Sequence, residues 1–236
     1  IDFRNQFNQT PLMVASNLGN VSLAQHLVEN GADIFLVDNV GRTALQIVLL
    51  LSYFDNKYAQ TKLAQLYKLL APSSISIKVE DKLIKVDNRL MEFFLFNLIS
   101  AISNNKFAGK YFYFDPGFCT GDFLKPLEKF PESVLLERRK KRSYISSILS
   151  KNEVSRDDRY NRKLFLRTHH GFYILNPKLE VKMQDAWFPL YKLMELDVNE
   201  LLEKSIWKID INKLVNEPKM MGELKEQDLS NEEDSD

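Results

Sequence analysis

The chain has 236 residues, 44% of them apolar and 27% charged, a balance that supplies a sizeable core and excludes intrinsic disorder. Thirty-two basic residues against thirty-two acidic ones leave no net field to steer it towards nucleic acid or an anionic membrane, so such targeting needs a local cluster. A single cysteine excludes a disulfide framework and a multi-cysteine zinc site, and the longest apolar runs, 44–51 and 90–102, fall short of the roughly 20 residues that span a bilayer. No secretory leader opens the chain and its first residue is not Met, so a piece of a longer polypeptide with a cytoplasmic address is the default expectation.

The first seventy residues contain a repeat. Thr10-Pro11-Leu12-Met13-Val14-Ala15 recurs as Thr43-Ala44-Leu45-Gln46-Ile47-Val48, a spacing of 33 residues. Thr10 and Thr43 are each suited to cap a short helix, Pro11 fits a first helical turn, and Gly31 supplies the left-handed residue that ends a second helix. Leu12, Ala15, Leu23, Ala24, Leu27 and Val28 form the inward set at helical spacing, with Asn17, Gln25 and Glu29 facing water.

With Asn8-Gln9 ahead of it and Leu18-Gly19-Asn20 and Asn30-Gly31-Ala32-Asp33 behind, the first copy resembles an ankyrin repeat, and a second begins at Asp38-Asn39-Val40-Gly41-Arg42. The resemblance implies stacked helix pairs over residues 1–71, with no catalytic residues and no cofactor, that bind another protein. The surface it points to is the finger from Ile34 to Arg42, including Phe35, Val37 and Asp38, and the exposed side of the first helix, Met13, Ser16 and Asn17. Phe35 and Val37 equally suit the covering of a neighbouring finger. The histidine usual after Thr-Pro-Leu is Met13 in one copy and Gln46 in the other, and about seven residues are inserted between Ser52 and Thr61 of the second.

After Pro72-Ser73-Ser74 the periodicity changes. Ile75, Ile77 and Val79, then Ile84 and Val86, alternate around Glu80-Asp81-Lys82 and predict a β-hairpin. Residues 90–99 are apolar almost all round and predict a buried helix. Tyr111 to Phe114 reads as a strand, 115–117 as a turn, and Asp122 to Lys129 as a short helix ended before Pro131.

Between Glu137 and Arg167 stand 11 basic and 4 acidic residues, whereas 217–236 holds 8 acidic and 2 basic ones and is expected to be poorly ordered. A helix is expected from Arg138 to Leu149. Ser155-Arg156-Asp157-Asp158 resembles a capping box for a second helix with Arg156, Arg159 and Lys163 along one side, Arg162 adjacent, and Tyr160 and Leu164 inward. With strands at 165–167 and 172–175 this is the order of a winged helix over 138–177, whose basic residues Arg138, Arg139, Lys140, Lys141, Arg142, Arg156, Arg159, Arg162, Lys163 and Arg167 would meet nucleic acid phosphates. The same run suits a solvated face or a dock for the acidic tail. Trp187, Phe188, Leu190, Leu193, Met194, Leu196, Leu201 and Leu202 predict one or two further helices.

For catalysis the candidates are His26, His169, His170 and Cys119, and none stands in a nucleophile, phosphate-loop or metal-ligand motif. No enzyme, metal or cofactor is therefore expected. The expected fold is mainly α with small β-hairpins: ankyrin repeats over 1–71 packed on an α+β domain over 72–216 with a winged-helix-like unit, then the tail. The expected function is a non-catalytic adaptor or scaffold binding another protein, with a nucleic-acid-binding regulator as the alternative and no membrane contact.

Overall fold

The computed structural model describes residues 1–107 and 117–203. The first helix pair is α1 (Pro11–Asn17) and α2 (Val21–Glu29). Thr10 Oγ1 accepts the Met13 N–H at 3.3 Å and Asn20 Oδ1 accepts the Leu23 N–H at 3.1 Å, so at each helix start the cap satisfies one of the free amides. Gly31, at φ +87°, turns the chain out of α2. The second pair opens with α3 (Ala44–Phe54), where Thr43 and Gln46 close a reciprocal box, Gln46 N–H onto Thr43 Oγ1 at 3.3 Å and Thr43 N–H onto Gln46 Oε1 at 3.0 Å. Thr10 and Thr43 thus occupy equivalent places, and α1 packs on α3.

The inserted residues lengthen the second pair. α3 has 11 residues where α1 has 7, and the return helix runs through α4 (Asn56–Tyr58), a π-helical turn (Ala59–Leu63) and α5 (Ala64–Leu70). A π turn absorbs an extra residue without breaking a helix. Here it keeps Leu63, Leu66 and Leu70 buried, while the Tyr58 hydroxyl at its start donates to the Ser16 carbonyl of the first pair.

The hairpin forms as expected from β1 (Ser74–Val79) and β2 (Lys82–Asp87), with Glu80 at φ +54° in the turn. The buried helix is α6 (Met91–Phe107), which lies against α3. The expected strand at 111–114 falls outside the described residues. β3 (Phe118–Cys119) leads into α7 (Thr120–Leu127), which starts two residues before Asp122 because the Asp122 carboxylate accepts the Cys119 N–H at 2.8 Å, and ends at Leu127 rather than Lys129.

The region read as a winged helix differs. A 3-10 turn (Glu137–Arg139) precedes α8 (Arg142–Lys151), which begins four residues later than expected because Lys140 is buried, its ammonium donating to the Phe130 carbonyl at 2.8 Å. The second helix does not form. Ser155 donates both its N–H and its hydroxyl to the Glu153 carboxylate instead of capping, Asp158 accepts the Tyr160 N–H at 2.9 Å in a local turn, and Asn161 holds the Glu153 and Arg156 carbonyls. Tyr160, expected inward, is 74% exposed, whereas Leu164 is buried. Without that second helix residues 138–177 form no helix-turn-helix, and a winged-helix unit is not borne out there.

The following hairpin forms from β4 (Phe165–His169), two residues longer than the expected 165–167, and β5 (Phe172–Leu175), and β3 completes a sheet of order β3-β5-β4. Trp187 and Phe188, expected in a helix, lie on a strand instead: β6 (Leu179–Met183) pairs with β1 on one side and β7 (Ala186–Pro189) on the other, in a sheet of order β2-β1-β6-β7. The edge of β1 is a partner that local periodicity does not reveal. Short helices α9 (Leu190–Leu193) and α10 (Val198–Glu203) follow. One apolar cluster runs from Leu12 and Ala15 through Leu49 and Phe93 to Leu175 and Met194, so the helix pairs and the α+β elements share a core.

Candidate functional site

The residues proposed as a contact surface divide when placed in the fold. Met13 and Ser16 are buried and correct the expectation that they lie on the exposed side of α1; Asn17 is exposed. Asp38 is also buried. Its Oδ1 accepts the N–H groups of Val40 and Arg42 at 3.1 and 2.9 Å, and Arg42 Nε reaches Oδ2 at 3.0 Å, so both residues build the tip of the finger. Phe35 is 47% exposed and Val37 half-buried. On one side the finger meets the start of the chain, where Arg4 Nη1 donates to the Val37 carbonyl at 2.7 Å and Asn39 N–H to the Phe7 carbonyl at 3.3 Å.

On its other side the finger overhangs a cleft of about 330 Å³ that it shares with α3, α6, β1, β6 and α9. Phe35, Val37, Ile75, Phe96, Val181, Met183, Leu190 and Leu193 make its walls apolar. Gly41 closes the finger onto α9 at φ +74°, so tightly that a Cβ there would lie 2.5 Å from the Leu193 carbonyl oxygen. Two buried amides line the cleft: Gln46 Nε2 donates to Asn97 Oδ1 at 3.2 Å, and Asn97 Nδ2 to the Phe93 carbonyl at 2.9 Å. Sequence reading missed this pair because 51 residues separate its members.

A second surface lies on α1 and α2. Val14 is 37% exposed although its 33-residue counterpart Ile47 is 3% exposed, and Leu23 is 44% exposed although Leu63, its counterpart across the insertion, is fully buried. Leu18 is 72% exposed and its counterpart Leu51 half-buried. The apolar face covered in the second helix pair is open in the first. No exposed stretch of polar residues would have signalled this.

The basic segment divides between cations that build the fold and cations that face water. Lys140 is buried; Arg162 pairs with the buried Glu92 at 3.1 Å; Arg139 Nη1 donates to the Arg89 carbonyl at 2.8 Å; and Arg167 Nη2 donates to the Tyr173 hydroxyl at 2.8 Å with its guanidinium over that ring. Arg138, Lys141 and Arg142 are exposed at the start of α8, and Arg156, Arg159 and Lys163 on the loop that replaces the expected helix. Sequence counting cannot separate cations that build the fold from those that face water.

His26 is exposed on α2, His169 ends β4, His170 sits in the adjoining turn and Cys119 is half-buried beside α7. Among the described residues no group of three or more His, Cys, Asp or Glu side chains is placed to hold a metal ion. Burial, with the Asp122 carboxylate and Cys119 adding to it, pushes the Tyr53 hydroxyl up to about 12, and burial raises Tyr58, Tyr67 and Tyr191 as well. These phenols are structural, Tyr53 donating to the Asp122 carbonyl and Tyr191 to the Leu175 carbonyl, each at 2.9 Å. Among the described residues no helix is long and apolar enough to cross a membrane.

A family model described as ankyrin repeats (many copies) matches residues 2–48, well under half of the chain. Neither a curated protein nor a solved structure gives a significant match.

Proposed function

Taking residues 2–48 as an ankyrin-repeat segment, in a family whose repeats generally mediate protein–protein contacts and are typically non-catalytic, we propose that this chain is a non-catalytic adaptor or scaffold whose repeat segment grips a protein partner. In this reading residues 1–71 are the contact part and 72–216 the α+β part that covers the second helix pair and fixes it in place. The open apolar face of α1 and α2 carries the reading, because Val14, Leu18 and Leu23 stand in water where their counterparts in the next pair are covered by protein. Burying a side chain of that size is worth about 1.5–3 kcal/mol, which a partner would recover. Asn17, Phe35 and Val37 extend the contact; Met13, Ser16, Asp38 and Arg42 shape it from within.

The test is capture of partner proteins from a cell extract by the full chain and by Val14→Asp and Leu18→Asp variants. The proteins retained by the unaltered chain should be lost from both variants and kept by Arg159→Glu. Equal recovery by all of them would refute the proposal.

A further inference from the structure

The cleft beneath the finger has a chemistry that the open repeat face lacks. The β1–β6 ladder pairs Ile77 with Val181, Lys78 with Glu180 and Val79 with Leu179, then stops, although β1 extends back to Ser74 and β6 on to Met183. Residues 74–76 pair only with β2 and residues 182–183 only with β7, so the facing edges of both strands border the cleft without a strand between them. Antiparallel strands direct alternate backbone groups to each edge, which leaves N–H and C=O groups here unclaimed by a ladder.

Beside these edges, Gln46 and Asn97 are more than nine-tenths buried. A primary amide nitrogen carries two hydrogens. One on each residue is used within the fold, and among the described residues the second meets no acceptor. The lining therefore offers donors to a carbonyl-bearing occupant. Among the described residues the charged ones in its lining are Asp33 and Lys182, one of each sign, which gives no focus for a phosphate or carboxylate. A volume of about 330 Å³ is at the small end of ligand sites, which run from about 300 to 1,000 Å³, and suits one large side chain with a short length of backbone.

We infer that this cleft docks an extended, uncharged peptide segment of a protein partner, with one large apolar side chain between Phe35 and Phe96, a main-chain carbonyl on the Gln46 and Asn97 amides, and the backbone along the parted strand edges. An extended peptide is the occupant that meets all three features, since strand addition supplies the backbone bonds and a pocket the selectivity. The inference rests on the protein-contact reading and gives it a second, chemically distinct foothold.

The experiment follows the ¹H–¹⁵N spectrum of the full chain during titration with blocked peptides acetyl-Gly-Ser-X-Ser-Gly-amide, X being Phe, Leu, Ala or Glu. The Phe and Leu peptides should move the side-chain amide signals of Gln46 and Asn97 and the backbone signals of Val37, Ile75 and Met183. The Ala and Glu peptides should bind about tenfold more weakly or less, the loss expected when an apolar anchor is removed. Phe35→Ala, at an exposed rim, should weaken the Phe peptide several-fold without unfolding the chain, and Met183→Glu should abolish its binding. No movement with any peptide, or indole alone binding as tightly as the Phe peptide, would overturn the inference. Peptide shifts confined to α1 and α2 would overturn it while leaving the repeat-face proposal standing; cleft binding together with undiminished partner capture by Leu18→Asp would do the reverse.

Discussion

Gly31 and Gly41 have nearly the same backbone, at φ +87° and +74°, and different surroundings. Nothing lies within 4 Å of a Cβ built on Gly31, whereas one on Gly41 meets the Leu193 carbonyl oxygen at 2.5 Å and its carbon at 2.7 Å. Replacing either by alanine costs about 1–2 kcal/mol for holding an L-residue in the left-handed region. Gly41→Ala must also push the finger off α9, and relieving such an overlap costs about 1–3 kcal/mol more because the opposing atoms are backbone. Urea unfolding followed by circular dichroism reads the difference. With a slope of about 2 kcal/mol per molar, the Gly31→Ala midpoint should fall by about 0.5–1 M and that of Gly41→Ala by about 1–2.5 M. Equal shifts would show that the finger does not rest on α9 and would remove the wall that closes the cleft.

The two faces of the repeat make a matched pair: Ile47→Ala should cost about 2–4 kcal/mol as a cavity in the core, and Val14→Ala less than about 1 kcal/mol, both measured by urea unfolding. Arg162→Ala leaves the Glu92 carboxylate with the Asn152 amide, at 3.4 Å, as its partner among the described residues; breaking a buried pair costs about 3–5 kcal/mol, which that contact and partial exposure of the Arg162 side chain (27%) reduce to about 2 kcal/mol, while Arg89→Ala, in an exposed pair with Asp87, should leave the melting temperature unchanged. The buried tyrosines set an alkaline limit. Their folded-state values lie above the ordinary 10, so the folded chain holds protons that the unfolded chain releases; their contribution is complete below pH 10 and declines as pH rises towards the Tyr53 value of about 12. Urea midpoints at pH 8 and pH 11, with phenolate absorbance as the monitor, should show stability falling only at the higher pH.

What the sequence revealed follows the range of the interactions. Thr10, Thr43 and Gly31 act on backbone within a few residues, so the helix pairs were legible from the repeat alone, and the alternation of Ile75, Ile77 and Val79 was enough for the hairpin. Residues 155–164 were misread because Ser155 has two local options, and Glu153, tied to β4 by a bridge to Phe165, offers the better acceptor. Trp187 and Phe188 adjoin the apolar residues of α9 and were read with them as helix, whereas Leu179, Val181 and Met183 alternate as a strand does, and the β1 edge they pair with lies about a hundred residues away in sequence. For the site the division is similar. Phe35 and Val37 were named from the resemblance, whereas the Gln46–Asn97 pair and the cleft exist only when α3 and α6 meet. Met13, Ser16 and Asp38 were misplaced because their polarity or position in a repeat does not show which way a short helix or finger is turned.

Hydrogen exchange of the full chain, alone and bound to a captured protein partner, tests most directly where the contact lies. The account predicts slowed exchange in residues 10–29 and in the finger at 33–42 on binding, with residues 138–163 unchanged. Protection confined to 138–163, with the helix pair as open as in the free chain, would contradict it.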